Sequence, residues 1–204
     1  MSLFIFADII GIIAFAISGF LVGVRHRLDL LGTLIAAALT ALGGGIIRDA
    51  VMGRPPFAFS EYYPAVVGLL TITLAFALRL YKRDSLERKW LFVISDTIGL
   101  VAFSITGALL AIEAGYNFFG VMMLSFITAV GGGMIRDVMI NQVPAVLVTD
   151  FYGSIALIVS TSLLILNQLG WMNELSILLV SLFCIALRLL AYRNDWHLPK
   201  IHRS

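Results

Sequence analysis

Apolar residues run through this chain in seven long blocks, at approximately 3–24, 29–52, 62–81, 90–112, 117–140, 150–169 and 173–192. A helix needs about 20 apolar residues to cross about 30 Å of hydrocarbon, so each block predicts a membrane span. The segments between them are short and polar: "RHRLD", "GRPPFAFSE", "KRDSLERK", "EAGYN", "NQVPAV" and "WMNE". Backbone groups in lipid must pair within their own segment or in a closed barrel. A barrel would show alternating segments of about ten residues, and these runs are continuous, so the spans are helices. Tyr62, Tyr63, Tyr81, Trp90, Tyr116, Trp171, Tyr192 and Trp196 fall at the predicted span ends, where interfacial aromatics belong.

Composition agrees. Hydrophobic residues make up 60% of the 204 and charged residues 13%; a soluble domain carries about a quarter charged. The N-terminal run has no basic flank and reads as the first span rather than a cleaved leader. Arg25, Arg27, Arg79, Lys82, Arg83, Arg88, Lys89, Arg188, Arg193, Lys200 and Arg203 fall on one side of the seven spans, and little beyond Arg54 on the other. Positive loops stay cytoplasmic, which places the N-terminus outside and the C-terminus inside. The basic run 79–89 serves as a topology signal or as a lipid-headgroup site.

The chain then repeats itself. At an offset of 88 residues Asp8 matches Asp96, Gly11 matches Gly99, Phe15 matches Phe103, Gly19 matches Gly107 and Gly32 matches Gly120. "GGGIIRD" at 43–49 matches "GGGMIRD" at 131–137, and Pro56 matches Pro144, with no gap. Each copy holds three spans, an odd number, so the second enters the membrane upside down, related to the first by a pseudo-two-fold axis in the membrane plane. The expected fold is all-α integral membrane: seven transmembrane helices, an inverted 3+3 repeat plus a seventh, with helices two and five kinked. The units are 1–88, 89–170 and 171–204, the last holding the seventh helix and a basic cytoplasmic tail.

The glycine triplets Gly43, Gly44, Gly45 and Gly131, Gly132, Gly133 lie in spans two and five. A glycine costs a helix about 1 kcal/mol relative to alanine. The triplets either let helices pack closely or unwind a turn whose freed carbonyls line a watery path and suit a cation. Arg48 with Asp49, and Arg136 with Asp137, follow the triplets inside the spans. Charge there faces the bundle interior or water. At matching depth, Arg48 is expected to pair with Asp8 and Arg136 with Asp96, as structural bridges or as electrostatic gates on a path. Thr40 and Thr128 either supplement carbonyls around an ion or bond back to their own helices. Phe15 and Phe103 either narrow the path or pack.

The sequence shows no metal-ligand spacing, phosphate loop or nucleophile–base pair, so no enzyme and no structural metal is expected. The basic residues are scattered around membrane faces and imply no nucleic acid. Three functions stay open: a cation-permeable channel, an alternating-access carrier for a small amino acid such as glycine, and a scaffold with packed glycines.

The doubled "GGGxxRD" motif, with the length and the 3+3+1 spans, resembles the prokaryotic branch of the trimeric intracellular cation (TRIC) channel family. Such sequences are also filed as a bacterial inner-membrane family with a glycine-transporter domain. The resemblance covers essentially the whole chain. It implies a homotrimer in the inner membrane with one hourglass pore per protomer, lined by spans one, two, four and five. It implies passage of potassium, and also sodium, through kinks at Gly43 to Gly45 and Gly131 to Gly133, with transient K+ there and Arg48 and Arg136 beside it. No cofactor is implied beyond the permeant ions and a bound lipid.

Overall fold

The computed structural model describes residues 2–148 and 151–196. Residues 197–204, with His197, Lys200, His202 and Arg203 of the expected tail, lie outside the described residues, as does the expected start of the sixth span at 150. The described chain is helical: α1 (Ser2–Arg25), α2 (Leu30–Val51), α3 (Phe57–Ser60), α4 (Tyr63–Ala77), α5 (Ser85–Glu113), α6 (Phe118–Met139), α7 (Ala145–Val148), α8 (Gly153–Gln168) and α9 (Glu174–Arg193).

The repeat fixes the helix ends. The Asp29 side chain accepts the Gly32 amide at the start of α2, and Asn117 accepts the Gly120 amide at the start of α6. These are equivalent positions, and each satisfies an amide that the first turn leaves orphaned. After α2 the chain turns left-handed at Gly53, and after α6 at Asn141. In each case the next amide reaches back to the aspartate carbonyl, Arg54 to Asp49 and Gln142 to Asp137, closing the helix as a left-handed cap does. Shifting α2 and α3 by 88 residues reproduces the bounds of α6 and α7.

The centre is four helices: α1 packs on α2 and α5, and α6 packs on α2 and α5. On the pseudo-axis, Phe15 and Phe103 meet edge to face at 5.3 Å between centroids. The Phe103 ring covers Gly11 and the Phe15 ring covers Gly99. As the α1 position rises from 11 to 15, its α5 partner falls from 103 to 99, so the two helices run antiparallel. That is the inversion expected of a three-span unit. Both rings are fully buried. Lipid is as apolar as they are, so their contribution is close packing rather than escape from water. Helix α4 flanks α1, while α8 lies on α5 and α6, and α9 on α5 and α8.

Three expectations shift. Five of the described helices are long and apolar enough to cross a membrane; α4 and α8 are shorter apolar helices. At 15 and 16 residues they rise only about 22–24 Å. Helix α4 stops because Arg79 takes a left-handed backbone conformation at φ 54°, although the apolar run continues past it. Helix α5 begins at Ser85, so the polar "SLERK" is helical and the expected unit boundary at 88/89 falls inside a helix. One-turn helices α3 and α7 occupy the expected loops after spans two and five.

Candidate functional site

The two triplets meet where α2 crosses α6. Placed on Gly43, a Cβ would lie 3.1 Å from the Gly132 Cα; on Gly131, it would lie 3.3 Å from the Gly44 Cα. On Gly44 it would overlap the Thr128 carbonyl oxygen, and on Gly132 the Thr40 carbonyl oxygen. The backbones are in contact at Gly43, Gly44, Gly131 and Gly132, whereas Gly45 faces the Phe57 ring and Gly133 faces Arg136 and Tyr152.

Of the two readings of the triplets, close packing holds and the unwound turn does not. Both α2 and α6 are continuous α-helix through their triplets, with backbone groups paired as the membrane interior requires. The propensity cost of about 1 kcal/mol per glycine is offset by an approach that no larger residue allows. The Thr40 and Thr128 hydroxyls donate to the Ala36 and Leu124 carbonyls of their own helices, each at 2.6 Å. They also seat against Gly19 of α1 and Gly107 of α5. Phe15 and Phe103 are packed on each other.

Each triplet is followed by a buried charge cluster. In the first, Arg48 Nε donates to Asp49 Oδ1 at 2.9 Å and Nη1 reaches Asp8 Oδ1 at 3.5 Å, all three side chains being fully buried. Nη1 also approaches Thr106 Oγ1 at 3.4 Å. The Tyr63 hydroxyl donates to Asp8 Oδ2 at 2.8 Å. Asp49 also takes Arg54 Nε at 3.0 Å and the Phe57 amide at 2.8 Å. In the second cluster, Arg136 Nε and Nη2 both donate to Asp137 Oδ1 at 2.8 Å. Asp137 takes the Ala145 amide at 2.9 Å. Each motif aspartate thus binds its arginine and holds the first amide of the one-turn helix that follows.

The expected pair Arg48–Asp8 is present. The expected direct pair Arg136–Asp96 is not: Arg136 Nη1 reaches Ser18 Oγ at 3.4 Å, and Ser18 donates to Asp96 Oδ1 at 3.0 Å. The Ser18 hydroxyl stands where the first cluster has a direct contact. Sequence reasoning did not assign Ser18, Thr106, Tyr63, Arg54, Tyr152 or Arg188 to the site, although Tyr63 was placed at a span end and Arg54 and Arg188 in the charge asymmetry. The first two are repeat mates at the same offset, each serving the other copy's arginine, and the repeat could have found them. Tyr152 lies beside Asp96 as Tyr63 lies beside Asp8, but one residue off register. Arg188 of α9 is buried with its guanidinium 4.8 Å from the Tyr152 ring centroid.

A cavity of about 460 Å³ opens between the loop after α1 and the end of α6, with Ile35, Ala36 and Leu39 on one wall and Arg136, Met139 and Asn141 on the other. It reaches the second arginine, and none of the six crossing glycines lines it. Among the described residues no group of His, Cys, Asp or Glu side chains could hold a metal ion.

Similar proteins share this frame. The family model described as "Glycine transporter" matches residues 5–79 and 93–168, one match per copy of the repeat. The membrane protein YvgT of Bacillus subtilis is 36% identical over 94% of this chain and 93% of its own. A solved TRIC cation channel is 36% identical, with a TM-score of 0.85 over 98% of this chain and 97% of that one. The TRIC trimeric intracellular cation channel orthologue from Rhodobacter sphaeroides is 27% identical, with a TM-score of 0.87 over 96% of this chain and 100% of that one.

Proposed function

This chain belongs to the family described as "Glycine transporter", and we propose that within it the chain is a membrane channel for monovalent cations, potassium and also sodium. One path runs inside each protomer of a homotrimer, between α1, α2, α5 and α6. The observation that carries this reading is the likeness of the whole fold to a TRIC cation channel at 36% identity and a TM-score of 0.85. The cavity that reaches Arg136 supports it as a vestibule that ends beside the second charge cluster, short of the glycine crossing. The crossing is the gate: ions pass when α2 and α6 part there, and K+ then passes between Gly43–Gly45 and Gly131–Gly133. Arg48 and Arg136 flank the gate as fixed positive charges held by Asp49 and Asp137.

The units 1–88 and 89–170 are the two halves that part, and 171–204 is an appended support. The protein sits in the prokaryotic inner membrane with its N-terminus outside and its C-terminus in the cytoplasm. Purified protein in a planar bilayer between KCl solutions is expected to give unitary currents, retained with NaCl. Cross-linked protein is expected to run as a trimer. Saturable glycine uptake without unitary current would mark a carrier instead, and neither activity would mark a scaffold.

A further inference from the structure

A second and larger cavity, about 770 Å³, lies where α1 ends and α5 begins. Its size is within the range of ligand pockets. Arg25 and Arg27 enter it from the end of α1, and Arg88 and Lys89 from the first turns of α5, while Leu21 and Phe92 supply apolar wall. Among the described residues, none of these four cations makes an ion pair with a carboxylate. The acidic groups nearby in sequence are otherwise engaged or absent from the lining: Glu87 pairs with Arg83 at 3.5 Å, and Asp29 caps α2. Arg88 donates to the Tyr81 carbonyl at 2.9 Å, and Lys89 stands over the Tyr192 ring.

The repeat shows what is particular here. The equivalents of the apolar wall positions Leu21, Val22 and Val24 are Leu109, Leu110 and Ile112, apolar again. The equivalents of Arg25 and Arg27 are Glu113 and Gly115, whereas Arg88 and Lys89 stand where the second copy begins, and Lys89 answers to Met1. The end of α5 keeps the apolar wall and carries neither arginine of the α1 end. Position 27 is also left-handed in backbone, φ 55°, and its mate is glycine at φ 71°. The first copy therefore keeps an arginine in a conformation that disfavours a side chain. A topology signal asks for positive charge on this membrane face; it does not ask for four cations to converge on one cavity.

We propose that this cavity binds the phosphate headgroup of an anionic phospholipid, with the acyl chains leaving along Leu21 and Phe92. A free phosphate would satisfy the cations equally, but it would leave the apolar wall uncovered at the level of the span ends, where lipid headgroups lie. The site is independent of whether the chain conducts.

The test is native mass spectrometry of the purified full chain with phosphatidylglycerol or phosphatidylcholine added to the micelle. Thermal unfolding is followed in parallel, with inorganic phosphate as the soluble probe. The double variant Arg27→Gly/Arg88→Ser removes one cation from each helix end and, with the glycine of the second copy, relieves the backbone at 27. Lys82→Gln/Arg83→Gln removes equal charge from the same face outside the cavity. The expected result is one phosphatidylglycerol retained per chain and no phosphatidylcholine. At about fivefold in affinity per basic residue, the double variant should bind it about thirtyfold more weakly, and the charge-matched control less than threefold. Equal weakening in both variants, or none in either, overturns the site. Thermal protection by inorganic phosphate equal to that by phosphatidylglycerol overturns the lipid as occupant.

Discussion

The sharpest consequence of the crossing lies within one motif. Gly44 and Gly132 face backbone across the helix pair, whereas Gly133, in the same triplet as Gly132, does not. A Cβ on Gly133 would meet its nearest atoms at 3.6 Å, the Arg136 Nη2, and 3.7 Å, the Tyr152 hydroxyl. That is ordinary contact, so Gly133→Ala should gain helix propensity of about 1 kcal/mol. Gly44→Ala gains the same, but its methyl falls on the Thr128 carbonyl oxygen. No rotamer relieves that overlap, because the oxygen belongs to the α6 backbone. Restoring a carbon–oxygen contact of about 3.3 Å moves the two helices apart by on the order of 1 Å, through a core in which Thr40 and Thr128 also seat on α1 and α5. Overpacking of this kind costs about 3 kcal/mol at the upper end of its range, leaving Gly44→Ala destabilised by about 2 kcal/mol. For a chain of this length about 1 kcal/mol moves Tm by 2–4 °C. Thermal unfolding in one detergent at one scan rate, followed by tryptophan fluorescence, should show Gly133→Ala higher by about 2–4 °C and Gly44→Ala lower by about 4–8 °C. Gly132→Ala, which meets the Thr40 carbonyl, should fall with Gly44→Ala. Equal gains for all three alanines would refute backbone contact at the crossing and return the triplets to unwound turns.

Other expectations follow from the same geometry. Phe15→Ala and Phe103→Ala should each cost about 3–5 kcal/mol, and the double variant should cost less than their sum, because the two rings are each other's partners; a double-mutant cycle reads the coupling directly. Asp49→Asn should cost about 3 kcal/mol or more, since Asp49 carries Arg48, Arg54 and the Phe57 amide together, whereas Asp8→Asn, which keeps an acceptor for Tyr63, should cost about 1 kcal/mol; denaturation of the two variants in matched detergent gives the order. Arg136→Gln removes a positive charge from the vestibule, worth about 0.6 kcal/mol to a cation about 7 Å away in water, so single-channel K+ conductance should rise by at most about threefold, and a fall would place the path elsewhere.

The repeat made much of this fold legible, because its offset holds without a gap from Asp8 to Pro56 and carries the caps, turns and one-turn helices with it. What it could not show was contact between the copies. A glycine's cost to its own helix is local and readable, but the carbonyl that makes Gly44 necessary belongs to Thr128, on α6. Reading the triplets one helix at a time favours a break; reading them as two-fold mates brings them face to face and removes the need for one. The same step reveals Ser18 and Thr106 as partners of Arg136 and Arg48. A one-residue slip between Tyr63 and Tyr152 hides the tyrosines from a gap-free comparison, and Arg188 stands on α9, outside both copies. The aspartates have a second task that no span shows by itself: Asp49 and Asp137 also hold the starts of α3 and α7. Crossing, charge and one-turn helix are thereby joined through a single carboxylate in each copy. Any movement that parts α2 from α6 either carries the arginine, the aspartate and the short helix with it as one body, or breaks buried hydrogen bonds that the membrane interior gives no water to replace. For the proposed gate, the first course keeps each arginine on its aspartate, and the buried bonds left to part are those between the copies, Arg48 to Thr106, Arg136 to Ser18 and Ser18 to Asp96.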